Sequence, residues 1–251
     1  YAIAGSGNLV INSGVTVGVT KPGDSISIAM TGNVTVNGTL AANISSFSAN
    51  NITIASGASM NANALGHFGG RMGENGLGNA GTGGGVFGGT YYAGGGAHGG
   101  DGGQSASASA TGGVAYGSNS NPATMGSGGA GSYCSIGGHG GGLIVLSATG
   151  TLTIDGTLSA NGQNGTSYSG LCAASSGAGA GGSIKVTAGS IAGTGTISAK
   201  GGDAIAGVSY FAGGGGGGRI YISAPNPFRG SGLTSINVAG GSGRGHCRPG
   251  T

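Results

Sequence analysis

The chain has 251 residues, a net charge of +3, only 5% charged and 37% hydrophobic residues, and 67 glycines. Glycine is far above its background of roughly 7%, but there is no strict every-third-residue run of the collagen kind, and sparse charge with this much apolar content is not the signature of disorder. The basic residues are scattered from Lys21 to Arg248 rather than gathered into a stripe, which argues against nucleic acid, and no apolar run approaches the roughly 20 residues that span a bilayer.

Residues 1–65 carry short alternating or β-branched runs at 9–11, 15–17, 25–28, 34–36 and 52–54, separated by Gly, Asn and the turn Lys21-Pro22-Gly23-Asp24. Period-2 patterning of this kind predicts half-buried strands, and glycine throughout makes helices improbable. Three strands of about five residues with short corners give about 20 residues per turn of a parallel β-solenoid (β-helix), so this segment holds two to three coils.

From residue 66 to 142 the β-pattern disappears. Glycines recur at threes in Gly70, Gly73 and Gly76 and again in Gly78, Gly81 and Gly84, the spacing of a polyproline-II helix with one bare face. The expectation is an insert of ordered polyproline-II-type segments layered on one side of the solenoid, anchored by Phe68, Phe87, Tyr91, Tyr92 and Tyr116. A flexible linker is the alternative.

Residues 143–251 return to strands. The phrase around Ile144 recurs around Ile184 and Ile220, 40 and 36 residues on, and 150–161 repeats 32–43 at an offset of 118, close to three such periods. Repetition at this period predicts one supersecondary unit stacked on itself, hence a single elongated all-β domain over 1–251. Glycine-rich excursions at 162–182 and 201–218 read as further polyproline-II-type loops.

Cys134 and Cys172 lie 38 residues apart at equivalent places in successive repeats, which predicts a disulfide; two unpaired cysteines are the alternative, and Cys247 remains a free or intermolecular thiol. His67, His98, His139 and His246 match no compact metal-ligand spacing, so no metal and no cofactor is expected. Asp24, Glu74, Asp101, Asp155 and Asp203 are too dispersed to suggest paired carboxylates, and serines are many without a nucleophile elbow; the chain reads as a non-enzyme. Sequons at Asn33, Asn37, Asn43, Asn51 and Asn164 are candidate glycosylation sites, whereas Pro122 disqualifies Asn121. A start at Tyr1 without Met suggests a removed signal peptide or a fragment, and an extracellular or cell-surface location.

The order His98-Gly-Gly, Tyr116-Gly-Ser, Pro122, Gly140-Gly-Gly142-Leu-Ile144, the unit 152–162, Gly181-Gly-Ser-Ile184, the unit 193–202 and Gly218-Arg219-Ile220 resembles a glycine-rich β-solenoid repeat module of large extracellular and cell-surface proteins of bacteria and protists. The glycine tract alone is similar, less closely, to the polyproline-II bundles of springtail antifreeze proteins and phage tail-fibre adhesins. These resemblances imply an exterior location and a structural or adhesive role, with no catalytic residues.

The first functional expectation is therefore a secreted structural protein, a homo-oligomer or polymer forming a filament or surface coat. The second is an adhesin or carbohydrate-binding tip that meets cell-surface glycans through Tyr91, Tyr92, Tyr116, Tyr133, Tyr168, Tyr210 and Phe211. The third is ice binding through rows of Thr16, Thr35, Thr53 and Thr153.

Overall fold

The computed structural model describes residues 1–78, 82–89, 91–168, 174–205, 211–225, 232–243 and 250–251. The strands come in two groups. Before the long glycine tract lie β1 (Ala2–Gly5), β2 (Leu9–Ile11), β3 (Thr16–Gly18), β4 (Ser25–Met30), β5 (Val34–Val36), β6 (Thr39–Ala41), β7 (Asn43–Ala49), β8 (Ile52–Ile54) and β9 (Ser59–Asn61). After it lie β10 (Leu143–Ile154), β11 (Thr157–Ser159), β12 (Ser183–Ala192), β13 (Thr196–Ser198), β14 (Arg219–Ser223) and β15 (Ser235–Asn237). Among the described residues there is no helix.

Every strand pairing is parallel. Sheet A has nine strands, running β1-β4-β7-β10-β8-β5-β2 with β12 and β14 continuing from β10; sheet B has six, in the order β15-β13-β11-β9-β6-β3. Alternation along each strand sends one set of side chains into the space between the sheets, and parallel register stacks like on like. Ile26, Ile44, Ile144, Ile184 and Ile220 form one row. Ile3, Ile28, Phe47, Leu146, Val186 and Ile222 form a second. From sheet B come Val17, Leu40, Met60, Leu158, Ile197 and Ile236. The interior members of these rows belong to one hydrophobic core, and removing such side chains from water is the main stabilising term of the β-structure.

This arrangement corrects the expected β-solenoid. Coils of constant size would set every ladder step at one sequence separation, but partners are 18 to 25 residues apart within 1–65. They are 98 to 100 apart where the chain re-enters the sheets, and 36 to 40 apart thereafter. Sheet A also branches, because the long β10 pairs with β7 through Ile144–Ala148 and with β8 through Leu152–Ile154. The repeat offset of 118 is two ladder steps rather than three periods: Thr35 pairs with Thr53, and Thr53 with Thr153. All-parallel sheets with long crossovers have the connectivity usual in α/β proteins, where helices supply the crossovers. Glycine-rich backbone occupies that role here.

The glycine-rich segments bond backbone to backbone, as bare faces allow. They interlace into one hydrogen-bonded body: Gly96 N–H donates to Ala178 C=O at 2.9 Å, Gly216 N–H to Gly96 C=O at 2.8 Å, and Gly181 N–H to Gly216 C=O at 2.9 Å, joining all three tracts. Ala93, Ala130, Ala204 and Ala212 form its small apolar cluster, with Phe87 against it. Glycine is required by approach distance. A Cβ on Gly177 would lie 1.9 Å from Gly94 O, and one on Gly215 1.9 Å from Gly179 O. Backbone polar groups buried this densely must pair with one another, and they do.

One buried polar side chain ties the two groups of strands together. Asn43 is buried; its Nδ2 donates to Asp24 C=O (3.0 Å) and Leu65 C=O (2.8 Å), while its Oδ1 accepts from Leu143 N–H (2.9 Å). The start of β7 is thereby tied to the start of β10, a hundred residues later in the chain.

Candidate functional site

Among the described residues both sheets are open at each end. At one end the outermost strands are β1, β2 and β3; at the other they are β14 and β15. An outermost strand presents unpaired N–H and C=O groups, and proteins that remain monomeric usually blunt such edges with Lys, Pro or a bulge. Here β1, β2, β3 and β15 contain no charged residue and no Pro, and β14 contains a single Arg.

The apolar rows are open at the same places. In sheet B, Leu40, Met60 and Leu158 are fully buried, but the row terminates in a half-buried Val17 at one end and in Ile236, 46% exposed, at the other. In sheet A the corresponding terminal residues are Ile3 and Ile222, both only partly buried. Each end therefore combines unpaired backbone with an uncovered core. Nothing in the composition of Ile236 marks it as terminal; its position in the ladder does.

The structure disperses most residues that the sequence suggested for contact. Tyr133 and Tyr168 are exposed, Tyr91, Tyr92 and Phe211 are half-buried, and Tyr210 lies outside the described residues. Tyr116 has an internal role: its hydroxyl donates to Met125 C=O at 2.5 Å, lies 2.8 Å from Ser127 Oγ, and its ring tilts against His98 at 5.1 Å between centroids. The threonines form two rows rather than one. Thr35, Thr53 and Thr153 align on sheet A, whereas Thr16 heads a row on sheet B with Thr39, Ser59, Thr157, Thr196 and Ser235.

The sequons divide likewise. Asn43 is corrected as a glycosylation candidate, because both ends of its amide are engaged inside the protein. Asn33 and Asn51 belong to an asparagine ladder: Asn33 N–H donates to Asn8 Oδ1 (2.8 Å), Asn51 Nδ2 donates to Asn33 Oδ1 (2.9 Å), and Thr151 N–H donates to Asn51 Oδ1 (2.7 Å). Asn164 is exposed and accepts from Asp203 N–H at 2.8 Å; Asn37 is exposed. Cys134 is disulfide-bonded, and both Cys172 and Cys247 lie outside the described residues.

His98 is fully buried, with Nδ1 2.9 Å from Gly181 O and Nε2 2.9 Å from Thr124 Oγ1. Burial, with a further contribution from the Arg219 guanidinium, pushes its pKa down to about 4, so it is neutral at pH 7. Arg219 Nη1 donates to the His98 carbonyl at 2.6 Å, which locks the strand β14 to the glycine body. Burial lowers His67 and His139 also. The carboxylates of Asp101, Asp155 and Asp203 accept from the backbone N–H groups of Ala115, Thr194 and Ser242 and so organise loops. Among the described residues no three His, Cys, Asp or Glu side chains converge as a metal site, and no helix is long and apolar enough to cross a membrane.

Comparison with protein-family models, with curated proteins and with solved structures found no match. The functional reading rests on the chain's own geometry.

Proposed function

We propose that the protein is an extracellular structural subunit that polymerises head to tail, the β14–β15 end of one copy meeting the β1–β3 end of the next. The observation that carries this reading is the pair of parallel edges, bare of charge but for Arg219, in which both sheets terminate at opposite ends among the described residues. A second copy suits these edges because its strands run parallel and its apolar rows prolong those already present: Ile236 of one copy would be covered by Val17 of the next, and Ile222 by Ile3. Such a contact joins two different surfaces, and a heterologous contact that does not close into a ring generates an open filament.

The dimension of the filament follows from the fold. Six strands of sheet B at about 4.8 Å spacing give a rise of about 29 Å per subunit. Electron microscopy of the purified protein is expected to show unbranched fibres with that repeat. Ile236→Lys places a charge in the joint at a residue already half in water, so it should abolish fibres while the melting temperature stays near that of the parent. Met72→Lys, at an exposed position outside every strand, should leave fibres intact. Monomers at all accessible concentrations, or fibres indifferent to Ile236→Lys, would refute the proposal.

The disulfide partner proposed for Cys134 is Cys172, since equivalent positions in adjacent repeats face each other. A non-reducing peptide map that links Cys134 to Cys247 instead would overturn this pairing.

A further inference from the structure

The glycine body contains a cavity of about 500 Å³ that plays no part in end-to-end assembly. One wall is the loop 68–77, closed at its base by Leu77 N–H donating to Phe68 C=O at 2.9 Å and turned at its tip by Glu74 N–H donating to Arg71 C=O at 3.0 Å. Gly73, with φ of 75°, takes the left-handed position of that turn. The opposite wall comes from Ile136 and His139. The walls are held rigidly together: Gly69 N–H donates to His139 Nδ1 at 2.8 Å, Gly137 N–H donates to Gly70 C=O at 2.9 Å, and a Cβ on Gly69 would meet Gly137 O at 1.9 Å.

The side chains lining this preformed space are of two kinds. Phe68, 39% exposed, stands edge-on to His139 with centroids 5.3 Å apart, and with Leu77 and Ile136 it gives an apolar surface open to solvent. Arg71, Glu74 and Asn75 are exposed polar groups on the same loop. The Asn75 Oδ1 accepts from Phe87 N–H at 2.7 Å, which fixes the amide and leaves its Nδ2 hydrogens for a ligand. Because His139 accepts at Nδ1, its ring proton sits on Nε2 as a further donor.

We propose that this cavity binds one or two neutral pyranose rings. A pyranose has an apolar face of C–H groups bordered by hydroxyls that both donate and accept. Phe68, Leu77 and Ile136 match the face; Glu74 accepts, while Arg71, Asn75 and His139 donate. A simple anion would meet the Glu74 carboxylate, a simple cation the Arg71 guanidinium, and a purely apolar ligand would strip water from both. The volume lies within the range of ordinary ligand sites.

The test uses the full chain and four probes, methyl β-glucopyranoside, methyl β-galactopyranoside, methyl α-mannopyranoside and chitobiose, followed by saturation-transfer NMR and calorimetry. At least one should bind, with transfer concentrated on the ring C–H protons of one face. Phe68→Leu, Arg71→Gln and Glu74→Gln should each weaken it about tenfold, the loss of one good contact, whereas Val114→Ala, in a different pocket beside Asp101 and Thr251, should not. Arg71 and Glu74 are exposed, so their variants remain informative if Phe68→Leu folds poorly. No transfer from any of the four probes, or binding that persists through all three substitutions, would overturn the assignment. Loss on Val114→Ala alone would overturn it too, by placing the site elsewhere. Fibre formation is scored separately by microscopy, so either proposal can fail without the other.

Discussion

Replacing Gly177 with Ala tests whether the glycine tracts form a packed interior. The new methyl carbon would sit 1.9 Å from Gly94 O and 2.6 Å from Gly94 C, so the two segments must part by more than an ångström. Gly177 N–H donates to Ala130 C=O at 2.9 Å and Gly177 C=O accepts from Gly138 N–H at 2.9 Å; both bonds lie inside the body and neither has water to replace it. Overpacking alone costs about 1–3 kcal/mol, and each of the two Gly177 groups left unpaired a further 1–3 kcal/mol or so, which together give about 3–9 kcal/mol. For a domain of this size that lowers the melting temperature by about 10 °C or more. The assay is thermal and urea unfolding beside Gly7→Ala, where the added Cβ meets nothing within 4 Å and φ is not positive. That control should match the parent or gain a few tenths of a kcal/mol from the stiffer unfolded chain. A Gly177→Ala protein melting within about 2 °C of the parent would refute the claim that backbone contact, rather than loose loop, fills this region.

Stability should also fall in mild acid. His98 titrates near 4 when folded and near its ordinary 6.5 when unfolded, so the unfolded chain binds more protons between these values. The contribution is complete above pH 6.5, falls away as the pH drops towards 4, and amounts to about 3 kcal/mol; His98→Gln should flatten the melting profile across that window, leaving the smaller part due to His67 and His139. Asn43→Ala removes three hydrogen bonds and strands the Leu143 amide, while the Leu65 carbonyl keeps the Gly23 N–H, which predicts a loss of about 2 kcal/mol or more in urea unfolding. In a glycosylating host, mass spectrometry of the Asn43 peptide should find it unmodified.

Much of the strand placement is legible because alternation is a local property. The runs at 25–28, 34–36 and 52–54 coincide with β4, β5 and β8, and the isoleucines repeated at 144, 184 and 220 are register partners across three strands. Strand β7 escaped the same reading, since Ser45 and Ser46 break the alternation between Ile44 and Phe47, where the pairing shifts register. The candidate edges were legible only as composition, a want of charge near Tyr1. The cavity beside Phe68 was not legible at all, because Arg71 and Glu74 meet Ile136 and His139 across sixty residues of glycine whose spacing carries no contact information.

The amino-acid sequence by itself determined that the described residues would be strand and glycine, without helices among them, with like apolar residues recurring at intervals that allow them to stack. Those are consequences of side-chain period and backbone freedom, which each short segment carries alone. Only the tertiary structure decided how many residues separate one ladder step from the next, that β10 serves two neighbours, and which glycine of one tract bonds to which of another. The reason is that a bare peptide group has no side chain to name its partner: which N–H meets which C=O is settled when the sheets fix where the crossovers start and end.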